Sequence, residues 1–270
     1  MLPLLGLAGE AATLLTAYKK YLRDGDAYLL YKEEIAEELG DTLWYLSTLA
    51  SHYGLALGEI ARDNLAKTTA RFMPHVTLKN FDAGYPLTEQ FPREFEALLV
   101  EDSGSVSLFR AQDGRQIGDP LTNNAYDDDG YRWHDALHLA FVAVLGWSPT
   151  IRGLLRLKRK SNPTVDEVED GGRAIVIDEA ITAFAFEYAR GHNMLAGANA
   201  VDYSVLRTIK MLTSRLEVAE RTAHDWERTL LTGFGVFRQV RDAGGGKLLL
   251  NLDNRTIRFE SLSESSWPKQ

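Results

Sequence analysis

The run Glu37-Glu38-Leu39-Gly40-Asp41-Thr42-Leu43-Trp44-Tyr45-Leu46 places two carboxylates, Glu38 and Asp41, one helical turn apart. At a spacing of three, side chains share a helix face, so both acids point one way while Leu43, Leu46, Leu49 and Ala50 bury on another. Carboxylates held side by side repel unless a cation or a proton stands between them. The pair therefore reads as half of a Mg²⁺ site. Upstream, Gly6-Leu7-Ala8-Gly9-Glu10-Ala11-Ala12-Thr13 opens another helix, whose Glu10 would complete the cage from across a helical bundle.

The 270 residues, 45% hydrophobic and 25% charged, suit one or two globular domains. A net charge of -8 argues against direct binding to a nucleic-acid backbone, which needs a dense cationic surface. Nucleotides are not excluded, because a metal and a few cations suffice for them. With no cysteine there is neither a disulfide nor a thiolate metal site. No apolar run reaches membrane-spanning length, and Met1-Leu2-Pro3-Leu4-Leu5 lacks the build of a signal peptide, so no membrane association and a cytoplasmic location are expected.

The expected fold class is mainly α, a helical bundle followed by a second helical domain that carries a small antiparallel β-sheet. Three helical patterns run over roughly Ala8 to Arg23, Tyr28 to Tyr53 and Leu57 to Arg71, broken by Asp24-Gly25-Asp26 and Gly54. Proline and glycine then predict a linker over 74–92, dividing a unit at 1–73 from a domain at 93–262. Asp102-Ser103-Gly104 and Asp253-Asn254 mark two hairpins, expected in one sheet because an isolated hairpin is marginal in water. Between them lie helices from Tyr131 to Leu145, after Ser148-Pro149, after Asn162-Pro163 with Gly171-Gly172 as a break, from Tyr203 to Ala219, and from Ala223 to Arg241.

Gly-Leu-Ala-Gly-Glu paired with Glu-Glu-Leu-Gly-Asp-Thr-Leu-Trp-Tyr-Leu resembles the MazG-type nucleotide pyrophosphohydrolases over residues 6 to 72. Their pattern is Glu-x-x-Glu, a spacer, then Glu-x-x-Asp. Glu10 and Thr13 stand at the first pair, Glu38 and Asp41 at the second, and Asn64-Leu65-Ala66-Lys67 matches a further Asn-x-x-Lys. The resemblance implies an all-α bundle that cleaves a nucleoside triphosphate to monophosphate and pyrophosphate, with Mg²⁺, or Mn²⁺ in its place. Hard oxygen ligands agree with that metal. Asn64, Lys67 and Arg71 share a helix face that would meet the phosphates, and Trp44 would pack on the base. Thr13, where the family has a second Glu, departs from the pattern, and a neutral hydroxyl is the weaker ligand.

The second half contains Trp133-His134-Asp135-Ala136-Leu137-His138, two histidines at a spacing that lets both imidazoles reach one metal. Glu167 and Asp170 follow after a spacer, then Asp178 and Glu179. The layout echoes the first half, so a diverged MazG-like unit with its own metal site is expected here. In it His134, Asp135 and His138 act with Glu167, Asp170 and Glu179, and Lys158, Arg159 and Lys160 meet phosphate. This half also resembles the C-terminal domain that accompanies some MazG domains. The competing reading makes both histidines buried hydrogen-bonding residues. His-Asp-x-x-His further approximates a zincin helix, a metallopeptidase alternative weakened by Asp in place of the longer Glu.

The expected function is therefore metal-dependent hydrolysis of a (d)NTP, with Glu38, Asp41, His134, Asp135 and His138 as catalytic candidates and Glu10, Glu38, Asp41, Asp135, Glu167, Asp170 and Glu179 as metal ligands. A non-catalytic nucleotide sensor or scaffold is the alternative that Thr13 favours. A homo-oligomer is expected, since the short first bundle exposes an apolar face that a second copy or a protein partner would cover. The physiological role stays open between cleaning the nucleotide pool and defence against phage.

Overall fold

The computed structural model describes residues 2–72 and 78–262, and these divide into two compact units. Within the first are three helices, α1 (Leu2–Asp24), α2 (Tyr31–His52) and α3 (Leu57–Phe72). A 3₁₀ turn at Gly25–Ala27 joins α1 to α2, with Gly25 in the left-handed region that a Cβ disfavours. So short a connection between long helices makes them antiparallel neighbours. Three contacts fix their register: Tyr21 stacks on Tyr31 at 4.4 Å, Lys20 pairs with Glu34 at 3.7 Å, and the Tyr28 hydroxyl donates to Glu34. At the far end a Cβ on Gly6 would lie 2.1 Å from the Tyr45 ring, so glycine is what lets Tyr45 lie against α1. Of the described apolar side chains in this unit only Ala17 and Ala50 are buried, and leucines such as Leu15, Leu22, Leu43 and Leu65 stay exposed.

The second unit is built on a five-stranded antiparallel sheet of order β3-β2-β1-β4-β5, comprising β1 (Glu94–Asp102), β2 (Ser105–Arg110), β3 (Arg115–Leu121), β4 (Gly245–Asn251) and β5 (Thr256–Glu260). The two expected hairpins do share one sheet, joined where β1 pairs with β4 from Glu94↔Asn251 to Val100↔Gly245. Ser103 and Gly104 both take positive φ, the two-residue turn whose twist matches that of its strands. Strand β3 has no sequence signal: Gly118 and Pro120 interrupt it and only Ile117 is buried, which an edge position tolerates.

The described residues of this unit also form six helices, α4 (Asp135–Leu145), α5 (Pro149–Leu154), α6 (Pro163–Val168), α7 (Gly172–Arg190), α8 (Tyr203–Leu212) and α9 (Ala223–Ala243), of which α4 and α9 lie against the sheet. Every residue of α4 is buried, against β4, β5, α5, α7 and α9. Closest approach to α9 runs through Gly233, where a Cβ would sit 3.1 Å from that of Ala140. Ser148 and Asn162 cap α5 and α6 by accepting from the amides of Ile151 and Val165, each ahead of a proline at the first turn. The helix expected after Asn162-Pro163 is two helices, because Gly171 passes so near the Glu167 carbonyl that a Cβ would lie 2.0 Å from it. Helix α8 stops at Leu212, short of the expected Ala219, and a 3₁₀ turn covers Glu217–Glu220.

The described part of the expected linker, 78–92, is packed into this unit. Phe81 and Phe91 are buried in its core. Buried Asp82 accepts from the Phe91 amide at 2.8 Å and from Arg152 Nη2 at 2.6 Å. Next to them Arg159 donates to both oxygens of Asp170 and both of Glu217, and its own amide also donates to Asp170. Removing one partner of such a buried pair strands the other, at about 3–5 kcal/mol. Asp170→Ala should thus lower unfolding stability by that order in urea denaturation. A loss under about 1 kcal/mol, the scale of a surface pair, would contradict this network.

Candidate metal centres

Two groups of ionisable side chains, one in each unit, match the chemistry expected of a site. In the first, Glu10 on α1 and Glu38 on α2 are half-buried, with Asp41 exposed one turn beyond. Partial desolvation raises the Glu38 carboxyl above its usual range, and the neighbouring Glu10, which meets it at hydrogen-bond range, pushes it further, as do Asp41 and Glu37. Among the described residues no lysine or arginine stands within ion-pairing distance of these acids. Converging oxygens without a counter-charge fit a hard divalent cation.

Thr13 does not join them. It is exposed, and its hydroxyl donates to the Gly9 carbonyl one turn back at 3.2 Å. Trp44 is 62% exposed and makes a T-shaped contact with the Tyr45 ring. Asn64 is exposed on α3, whereas the side chains of Lys67 and Arg71 lie outside the described residues.

In the second unit, the ligand atoms of His134, His138 and Glu179 lie within 4.8 Å of one another. The two histidines sit one turn apart at the start of α4, their rings 5.6 Å apart. His134 stacks on Tyr131 at 4.3 Å and its Nδ1 faces the Tyr131 carbonyl at 2.8 Å. His138 is fully buried, with Nδ1 3.0 Å from Asp178 Oδ1 and Nε2 3.4 Å from Glu179 Oε2. Asp178 is held in turn by the Ser148 hydroxyl at 2.7 Å and the Thr150 amide at 3.1 Å, at the first turn of α5.

Burial depresses His134, helped by the charge of His138. For His138 burial works in the same direction, yet Asp178 and Glu179 outweigh it and hold the ring well above the usual imidazole range. Burial raises Asp135, which feels both histidines and Glu179. Burial would raise Glu179 too, but its contact with His138 leaves it lowered.

The structure thus unites His134, His138 and Glu179, with Asp135 beside them, and leaves Glu167 and Asp170 out. Glu167 is exposed, and Asp170 is committed to Arg159. Arg159 is correspondingly unavailable to phosphate. The expected echo of the first half required Glu167 and Asp170 to face the histidine helix, and they do not. Asp178 has no role in the sequence reading. It adjoins Glu179, and successive residues of a helix diverge by about 100°, so one turn of α7 presents both its orienting carboxylate and the exposed one to His138.

Comparison with known proteins follows this division. Residues 4–77 match the MazG nucleotide pyrophosphohydrolase domain and residues 76–263 the MazG C-terminal domain. A curated relative, the "Gene 37 protein" of Mycobacterium phage L5, is 35% identical over 69 residues, which cover 25% of this chain and 60% of the relative. No solved structure matches the chain. The family's nucleotide pyrophosphohydrolase-type function agrees with the carboxylates on α1 and α2, and no helix among the described residues is long and apolar enough to cross a membrane. The chain belongs to the MazG family, a MazG nucleotide pyrophosphohydrolase domain followed by a MazG C-terminal domain.

Proposed function

We infer that the first unit hydrolyses (d)NTPs to (d)NMP and pyrophosphate with Mg²⁺, Mn²⁺ serving in its place. The observation that carries this reading is the meeting of Glu10 and Glu38 with Asp41 one turn on. All three offer hard oxygens, and a bound ion would neutralise charge on the phosphate chain during water attack. A carboxylate oxygen of this group not spent on the ion would orient that water and accept its proton. Trp44 presents an exposed ring to a base, and Asn64 an exposed amide to phosphate.

Pyrophosphate release from a panel of NTPs and dNTPs tests the proposal. Turnover should require the metal and fall at least ~100-fold in Glu38→Gln, the scale of lost acid–base help; no release by the intact chain with either Mg²⁺ or Mn²⁺ would refute it.

A second reading, a nucleotide sensor without turnover, draws on the Thr13 hydroxyl being spent on Gly9. Thr13→Glu separates the two. A rise in both metal affinity and turnover identifies a weakened enzyme, whereas tighter metal and nucleotide binding with no turnover identifies the sensor.

Self-association belongs to the same proposal. The leucines that α1, α2 and α3 leave exposed offer apolar surface that a second copy would cover. Sedimentation should return a dimer or larger species, and a monomer throughout the micromolar range would remove this part.

A further inference from the structure

His138 Nε2 is fully buried, makes no well-formed hydrogen bond among the described residues, and has the Glu179 carboxylate as its charged neighbour at 3.4 Å. A buried polar atom left unpaired costs free energy, so a position like this calls for an occupant. The surroundings dictate which. Each histidine has its Nδ1 against an oxygen, His134 against the Tyr131 carbonyl and His138 against Asp178. That arrangement selects the Nδ1–H tautomer and turns both Nε2 lone pairs away from those oxygens. It is also how metal-ligating imidazoles are held, the second nitrogen donating to a carbonyl or carboxylate. Beyond Nε2 of His138 stands the Glu179 carboxylate at 3.4 Å, so this nitrogen and that oxygen share either a proton or a metal cation.

We propose that His134, His138 and Glu179 bind a divalent transition metal of the zinc type, in a centre separate in chemistry from the carboxylates of the first unit. Ligand atoms at roughly 2.0–2.1 Å from a tetrahedral ion lie about 3.4 Å apart. His138 Nε2 and Glu179 Oε2 are already 3.4 Å apart. Two imidazoles and one carboxylate leave a fourth position open, as in hydrolytic zinc sites. Asp135, three residues before His138 and on the same face of α4, is a further carboxylate close enough to feel both histidines and Glu179. Nitrogen donors favour Zn²⁺ or Co²⁺ over Mg²⁺, which prefers oxygen. The Glu179 side chain is 41% exposed, so the centre has a route to solvent through it.

Titration of the full chain with Co²⁺ and Zn²⁺ in excess Mg²⁺ tests the proposal. One equivalent of Co²⁺ should bind with the visible bands of a low-coordinate site, and Zn²⁺ should displace it. Glu38→Gln, in the first unit, should leave this equivalent intact, whether or not that unit turns over nucleotide. Glu179→Gln and His134→Asn should abolish it with the circular dichroism unchanged, and Asp178→Asn should weaken it about 10–100-fold. Two of the six histidines should shift their ¹⁵N ring resonances on Zn²⁺ addition, a measurement that requires no variant. Failure of the wild-type chain to take up Co²⁺ or Zn²⁺, with His138 protonated on both nitrogens, would overturn the proposal and leave an imidazolium clamped between two acids. Uptake that persists in folded Glu179→Gln and His134→Asn would overturn it equally.

Discussion

A helix buried on every side must find partners inside the protein for each polar group that it carries, and α4 is such a helix. Its apolar side chains, Leu137, Leu139, Phe141, Val142 and Leu145 among them, fill the space between the sheet and the surrounding helices. They leave His138 no access to bulk water and Asp135 little. The consequence spreads outward: His138 requires Asp178, Asp178 requires the Ser148 hydroxyl and the Thr150 amide, and these lie where Ser148-Pro149 starts α5. A capping residue, a turn and the position of α7 are thereby tied to one imidazole.

Charge is handled differently in the two units. The first gathers Glu10, Glu38 and Asp41 at the junction of two helices and pairs none of them with a cation among its described side chains. The second buries arginines and acids as completed pairs, Arg152 with Asp82 and Arg159 with Asp170 and Glu217. Completed pairs have no capacity for a ligand, whereas an uncompensated group does. That contrast is the reason for proposing the acids on α1 and α2 and the histidine cluster on α4 as sites.

What could be read in advance was local. Helical period, the Ser-Pro and Asn-Pro caps, the Asp102-Ser103-Gly104 turn and the four-residue spacing of His134 and His138 each act through neighbours in the chain. The rest depends on partners brought together by folding. Nothing near Asp82 announces Arg152, so 78–92 reads as a linker although Phe81, Asp82 and Phe91 within it are buried in the second unit. Asp170 has the spacing of a metal ligand from Glu167, yet Arg159 takes it. Thr13 is the instructive case, since its departure from the family pattern is visible in sequence while the turning of its hydroxyl onto Gly9 is not.

The pairing of β1 with β4 has a bearing on biosynthesis. Glu94 emerges from a ribosome long before Asn251, its partner across the ladder, and the centre of the sheet cannot close until nearly the whole second unit has been made. Helices α1 and α2, whose contacts are between chain neighbours, can assemble at once. During synthesis β1 and β2 therefore wait as a hairpin with one long edge unpaired, beside an apolar α4 that has no sheet to cover it. That interval, rather than the finished molecule, is when the chain is most exposed to aggregation and to capture by chaperones.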